Sequence, residues 1–278
     1  MNLTEVTPNI FVLIGDNGRS VLVRGSESVT AVDIPADPSL MDDLLTTCLG
    51  LAPEGLKLAI LTIEPDSMDA IYAKLPGVQI VRADLLHVSD EDWESTVEEA
   101  LGLTGIDAEL EGGCMIIRDG AGHQFVIEPC LGSHRSLAVT IEPEEVMVVC
   151  DDLHPELPPR IRAGSVHETM MRLSDWRLRA PKFIIPASGI PLADEQAIKT
   201  LDKGINYLRL LYQLTRSGLM ESHLPWERLM YTIPSSKVWD APMADKILND
   251  RHRENVRYMA EDIWKRVQAE AEETSLAA

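Results

Sequence analysis

The stretch LTIEPDSMDA, residues 61–70, sets two carboxylates, Glu64 and Asp66, directly after an apolar run, and a second pair, Asp151 and Asp152, follows the run VMVVC at 146–150. Acidic side chains at the carboxyl ends of buried strands are anionic oxygen donors in the crevice where open α/β sheets bind ligands. A divalent cation held there would lower the pKa of a bound water. A plainer role competes at the first pair. Pro65 restricts the residue before it, and Asp66 is placed to cap a helix whose apolar side carries Met68, Ile71, Tyr72 and Leu75. Asp151-Asp152 reads equally as a solvated turn.

The other chemistry-bearing residues narrow the field. None of the seven histidines stands at His-x-His or His-x₃-His spacing, so no conventional two-metal hydrolase centre assembles. There is no Gly-x-Ser-x-Gly elbow before a helix and no glycine-rich phosphate loop with Lys-Ser/Thr. Cys48, Cys114, Cys130 and Cys150 form no Cys-x-x-Cys pair. Their apolar neighbours predict buried free thiols in a reducing cytoplasm.

These residues need a scaffold. NIFVLIG, SVLVRG and SVTAVDIP alternate as short strands, parted by DNGR and GSES, so the chain opens as a β-meander. Asp37-Pro38 starts a helix that carries Leu40, Met41, Leu44, Leu45 and Cys48, with Gly50 beyond it. LKLAILT is a continuous apolar strand, and with the Met68–Leu75 helix and VQIVRA it makes a right-handed crossover. Ser89 and Asp92 open an acidic helix over 90–101 with Trp93, Val97, Ala100 and Leu101 inward. CMIIRD, HQFVIEP, SLAVTIEP and VMVVCDD are strands again; Ser165 and Glu168 form a capping box, and KFIIPAS is the last strand. From Asp194 the pattern is helical: 194–203, 205–217 ending at Gly218, and a long helix from about Pro242 to Glu273. Its stripe is Val256, Met259, Ala260, Ile263, Trp264 and Val267. Trp226, Tyr231 and Trp239 mark the irregular segment between the last two, either as core anchors or as a lid over a partner or ligand pocket. This order fits an α/β fold of four layers, an αββα sandwich with a helical C-terminal extension: a domain over 1–193 and an extension over 194–278 packed on it.

Composition limits the partners. The 278 residues carry a formal charge of −20, most of it in the first half, which argues against nucleic acid and against anionic lipid surfaces. No apolar run reaches the length of a membrane span, and the N-terminus has neither a basic region nor a small-residue cleavage site. A cytoplasmic protein is expected, so the Asn2-Leu3-Thr4 sequon is idle. The amphipathic C-terminal helix adds the expectation of a homodimer, with a protein partner or small ligand for the acidic scaffold.

Over roughly residues 8–192 the chain resembles the metallo-β-lactamase fold superfamily. FVLIGDNGRSVLVRGSESVTAVDIP resembles its opening hairpins, which end in an Asp-bearing strand, here at Asp33. LAILTIEPDSMDAI falls where the family writes its His-rich loop, and EPEEVMVVCDDL resembles the hairpin ending in the bridging aspartate, matched by Asp151. FIIPASGIPL resembles the final Pro-x-His-Gly loop, with Ser188 in the histidine slot. EPD points further, to the flavodiiron and oxygen-binding diiron branch, which carries His-x-Glu-x-Asp-His. Glu64, Asp66 and Asp151 match that branch's carboxylate ligands, while Thr62, Ser67, Gly132 and Ser188 stand in its histidine positions. His134 is the histidine nearest to the slot at Gly132. Between Ser188 and residue 278 the sequence reads as helices, without the glycine-rich phosphate loop that an appended flavodoxin domain is expected to carry.

The resemblance implies a degenerate member of that branch, a non-catalytic sensing, binding or regulatory protein without a cofactor. The alternative it leaves open is a metal-dependent oxidoreductase or hydrolase. Glu64, Asp66, Asp151 and His134 would then hold non-heme iron in a non-standard, carboxylate-rich centre. A homo-oligomeric structural protein is the third reading.

Overall fold

In the computed structural model, described over residues 2–15, 18–35, 37–62, 68–82, 107–111, 114–130, 136–149, 153–162, 164–239 and 246–276, thirteen strands form two sheets. Glu64, Asp66, His134 and Asp151 lie outside the described residues, as do the 90–101 helix, Cys150 and the slots at Ser67 and Gly132.

The first sheet runs β1 (Asn2–Glu5), β2 (Ile10–Gly15), β3 (Gly18–Arg24), β4 (Val29–Val32), β5 (Leu56–Ile60) and β6 (Gln79–Val81), in that order across the sheet. The first four pair antiparallel. β4, β5 and β6 pair parallel, because α1 (Pro38–Leu51) and α2 (Met68–Lys74) carry the chain back between them. The second sheet has the order β13-β12-β11-β10-β9-β8-β7. Its members are β7 (Asp107–Glu111), β8 (Cys114–Arg118), β9 (Gln124–Pro129), β10 (Leu137–Glu142), β11 (Val146–Val148), β12 (Phe183–Ile185) and β13 (Leu192–Ala193). Only β11 and β12 pair parallel.

Strand periodicity divides the apolar residues between two cores. Ile10 and Val12 of β2, with Val21, Val23, Val32, Leu58, Ile60 and Val81, meet Met115, Ile117, Phe125, Ile127, Val139, Val148 and Ile185 of the second sheet. The residues between them, Phe11, Leu13, Leu22, Ala31 and Ala59, turn to the other face and pack on Met41, Leu44 and Cys48 of α1 and Ile71 and Leu75 of α2. A central strand is therefore apolar along its whole length, as LKLAILT predicts. The outer face of the second sheet is buried as well, at Ala138, Met147 and Ile184. Tyr72, expected on the inner side of α2, is 48% exposed. Cys48 and Cys130 are buried and Cys114 half-buried, and none of the three is in a disulfide; burial pushes the Cys48 thiol up to about 12, so it stays protonated.

The described residues gather into two compact units. The first holds both sheets with α1 and α2; the second holds residues 153–180 and 195 onward. In it are α3 (Val166–Arg179), most of α4 (Asp194–Met220), α5 (Trp226–Thr232) and α6 (Lys246–Leu276). Three expectations change here. Ser165 does cap α3, but its hydroxyl bonds the carbonyl and amide of Arg162 and makes no cap hydrogen bond, so the capping box with Glu168 does not form. The two helices expected over 194–217 are one helix that runs through Gly204 and Gly218. A Cβ at Gly204 would lie 3.0 Å from Pro159 Cγ, and one at Gly218 only 2.4 Å from Leu229 Cδ2, so these glycines admit close neighbours instead of ending the helix. On α6 the stripe Val256, Met259, Ala260 and Ile263 is buried, whereas Trp264 is 51% exposed. No helix among the described residues is long and apolar enough to cross a membrane.

Candidate functional site

The chain turns left-handed at Asp33, the first residue after β4 (φ 61°), a conformation that aspartate tolerates better than most residues. Its amide donates to the Ile60 carbonyl at 2.8 Å, which sets the carboxylate beside the end of β5. There it takes everything Thr62 can give. The Thr62 amide lies 2.7 Å from Oδ1, and the hydroxyl lies 2.8 Å from both Oδ1 and Oδ2, sharing its proton between them. The Thr62 carbonyl in turn accepts from the Leu137 amide at 2.7 Å, which ties the end of β5 to the start of β10 in the other sheet. Thr62 is buried.

A cation completes the cluster. Arg19 shares the inner face of β3 with Val21 and Val23, because strand side chains alternate and all three are two residues apart. From the start of β3 its guanidinium reaches across the crevice. Nη1 donates to Asp33 Oδ2 at 3.1 Å, and Nη2 to the carbonyls of Val149 (2.9 Å) and Ile185 (3.1 Å); Nε donates to the Pro186 carbonyl. The Arg19 side chain is 2% exposed and that of Asp33 21%. A buried guanidinium is tolerated when its charge is paired and its planar fork finds acceptors, and both conditions hold here. One side chain thus holds the ends of β4, β11 and β12.

Thr62 and Val149, two residues before Glu64 and Asp151, both belong to this cluster. Ser188, two residues past Pro186, is exposed. Among the described residues, no group of three or more His, Cys, Asp or Glu side chains is arranged to hold a metal ion. Sequence reading places Asp33 and Thr62 correctly at strand ends but misses Arg19, which DNGR presents as a turn residue. The signal that finds it is the alternation Arg19, Val21, Val23, a charge in register with two core valines.

A second polar cluster joins turns of the second sheet. His123 Nδ1 lies 2.6 Å from Asp119 Oδ2, and Nε2 lies 3.2 Å from Glu144 Oε1, with all three side chains largely buried. The hydrogen bond it donates to the Asp119 carboxylate raises the imidazole's pKa against the effect of burial. Burial pushes the Asp119 carboxyl up, but hydrogen bonds from His123 and the Ala121 amide outweigh it, and the net shift is downward. The signs define a window. A raised histidine stabilises the fold fully below its unfolded pKa of about 6.5 and loses that contribution as pH rises through the folded value. A lowered aspartate contributes above about 3.9 and loses it as pH falls. The ion pair is strongest between those limits. His123→Gln is therefore expected to cost about 1.5–3 kcal/mol near pH 5.5 and less by pH 8.5, read from urea melts of both proteins. A pH-independent difference would rule out the charged clasp.

No family model matches the chain, and no curated protein matches it in sequence. Solved structures do. A metallo-β-lactamase family protein from Thermus thermophilus, TTHA1429, matches with a TM-score of 0.59 at 14% identity, over 95% of this chain and 95% of that one. The stereoselective inverting sec-alkylsulfatase Pisa1 from a Pseudomonas species matches with a TM-score of 0.59 at 11% identity, over 93% of this chain and 49% of its own. The chain thus spans about half the length of that alkylsulfatase. At these identities the likeness establishes the fold: two mixed sheets with helices, as in metallo-β-lactamase-like proteins.

Proposed function

We propose that the chain is a degenerate metallo-β-lactamase-fold protein related to the diiron oxygen-binding and flavodiiron branch, serving as a non-catalytic sensing, binding or regulatory protein. The observation that carries the reading is the commitment of Thr62. In the first histidine slot of the resemblance stands a hydroxyl that already donates to both oxygens of Asp33, at 2.8 Å each. A protonated hydroxyl facing a carboxylate does not supply the neutral nitrogen lone pair that a divalent transition metal takes from imidazole. Ser188, in the last histidine slot, is an exposed serine. The positive charge that does reach the crevice is the guanidinium of Arg19, 3.1 Å from Asp33. These residues do not fit a two-metal centre with imidazole donors.

The test is metal content together with melting. Protein purified without added metal is expected to hold neither two zinc nor two iron ions per chain by elemental analysis. Its melting temperature is expected to stay unchanged by Fe²⁺ or Mn²⁺, since a ligand stabilises only the state that binds it. A metal-dependent rise in wild type that disappears in both Glu64→Gln and Asp151→Asn would defeat the reading in favour of a carboxylate-rich centre.

A further inference from the structure

We infer that Arg19 is the resident cation of this crevice: its guanidinium takes over, as a covalently attached group, the charge-neutralising and strand-tethering work of a bound metal ion. The inference rests on the degenerate reading above and adds what fills the electrostatic gap. The strand ends bring together one carboxylate and three carbonyl oxygens, those of Asp33, Val149, Ile185 and Pro186. The carboxylate is anionic and each carbonyl oxygen carries partial negative charge, and without a positive partner they would repel one another inside a site of low dielectric. The donor that meets them is a planar fork: Nη1 bonds Asp33, Nη2 bonds both Val149 and Ile185, and Nε bonds Pro186. Its burial is nearly complete, so the charge is screened little by salt.

The segments held are the ones that matter. Val149 lies two residues before Asp151, Pro186 two before Ser188, and Asp33 holds Thr62 two before Glu64. A guanidinium at their junction fixes the ends of β4, β11 and β12 together. A lysine could not do the same, since its compact ammonium has three donors on a point charge and no fork.

Chemical rescue separates this role from ordinary packing. Arg19→Ala is expected to lower the melting temperature by about 10 °C, because removing one partner leaves a buried charge and orphaned carbonyls. Millimolar ethylguanidinium, far below denaturing levels, is expected to restore at least half of the loss, and ethylammonium at the same concentration is not. Melting of Arg19→Ala at the wild-type temperature overturns the inference, and so does equal rescue by the two cations. Should Arg19→Ala not fold, Arg19→Lys is read instead: wild-type melting overturns the inference, and a marked drop supports it. The underlying reading fails separately. Stoichiometric metal in wild type, with Arg19→Ala still rescued by ethylguanidinium, would end both the degenerate reading and the claim that Arg19 replaces an ion, leaving Arg19 as a tether alone. Metal-free wild type with an unperturbed Arg19→Ala would do the reverse.

Discussion

Asn255→Leu is expected to cost at least about 3 kcal/mol, although leucine nearly matches the volume removed. Asn255 is fully buried on α6 and serves three partners. Its Oδ1 accepts from the Ile161 amide at 2.9 Å, and Nδ2 donates to the Pro159 carbonyl at 2.8 Å and to the Tyr207 hydroxyl at 3.0 Å. Leucine strands all three, and each buried orphan costs about 1–3 kcal/mol. The loss should appear in urea melts as a lower midpoint with an unchanged slope, the mark of lost stability without a change in exposed surface. Wild-type stability in this variant would mean that the 153–162 segment is held by packing alone.

The same network fixes a proton order. A carbonyl only accepts, so His252 Nε2 donates to Ile233 at 2.8 Å, and Nδ1 must then accept from the Tyr207 hydroxyl at 3.0 Å. That leaves the Tyr207 oxygen to accept from Asn255. The arrangement requires a neutral imidazole, and burial holds the His252 pKa below its ordinary value. With the folded pKa depressed, this contribution is complete above about pH 6.5 and fades as the pH falls, opposite in sign to His123. Beside it, Trp239 donates to the Glu156 carbonyl and carries the Lys203 ammonium 4.0 Å above its ring, which makes it a core anchor. Tyr231, from the same sequence stretch, is exposed.

Much of the scaffold was legible because burial on two faces leaves a strong mark in sequence. NIFVLIG and LKLAILT become strands since each side of each strand meets an apolar layer, and VMVV is buried along its whole length. β1 leaves no such mark: Asn2–Glu5 is exposed throughout and is specified by backbone pairing with β2. β13 is two residues long, too short for any period. Gly204 misled for a different reason. Local propensity writes glycine as a helix stop, but the choice there was made by Pro159, distant in sequence. Arg19 was hidden by its neighbours, since Asn17-Gly18 dominates the local reading and its partners lie at positions 33, 149, 185 and 186. Long-range polar contacts of this kind have no periodicity to betray them.

Asp33 is where charge and geometry can be pulled apart. Asp33→Ala should cost about 3–5 kcal/mol, since it leaves Arg19 buried without its anion and frees the Thr62 hydroxyl and amide. Asp33→Asn should fall between that variant and wild type. Asparagine tolerates the left-handed backbone at φ 61°, and its amide oxygen can still accept from Thr62. Its nitrogen, however, would face Arg19 Nη1 donor to donor, so only the ionic half of the cluster is broken. In urea melts, Asp33→Ala within about 0.5 kcal/mol of wild type would show that the crevice needs no anion here. Combining Asp33→Asn with Arg19→Met closes the cycle: if the pair is coupled, the double variant should lose less than the two single losses together, by about 0.5–3 kcal/mol. Strict additivity would mean that Arg19 is held by the carbonyls of Val149, Ile185 and Pro186 alone, and that Asp33 serves only Thr62.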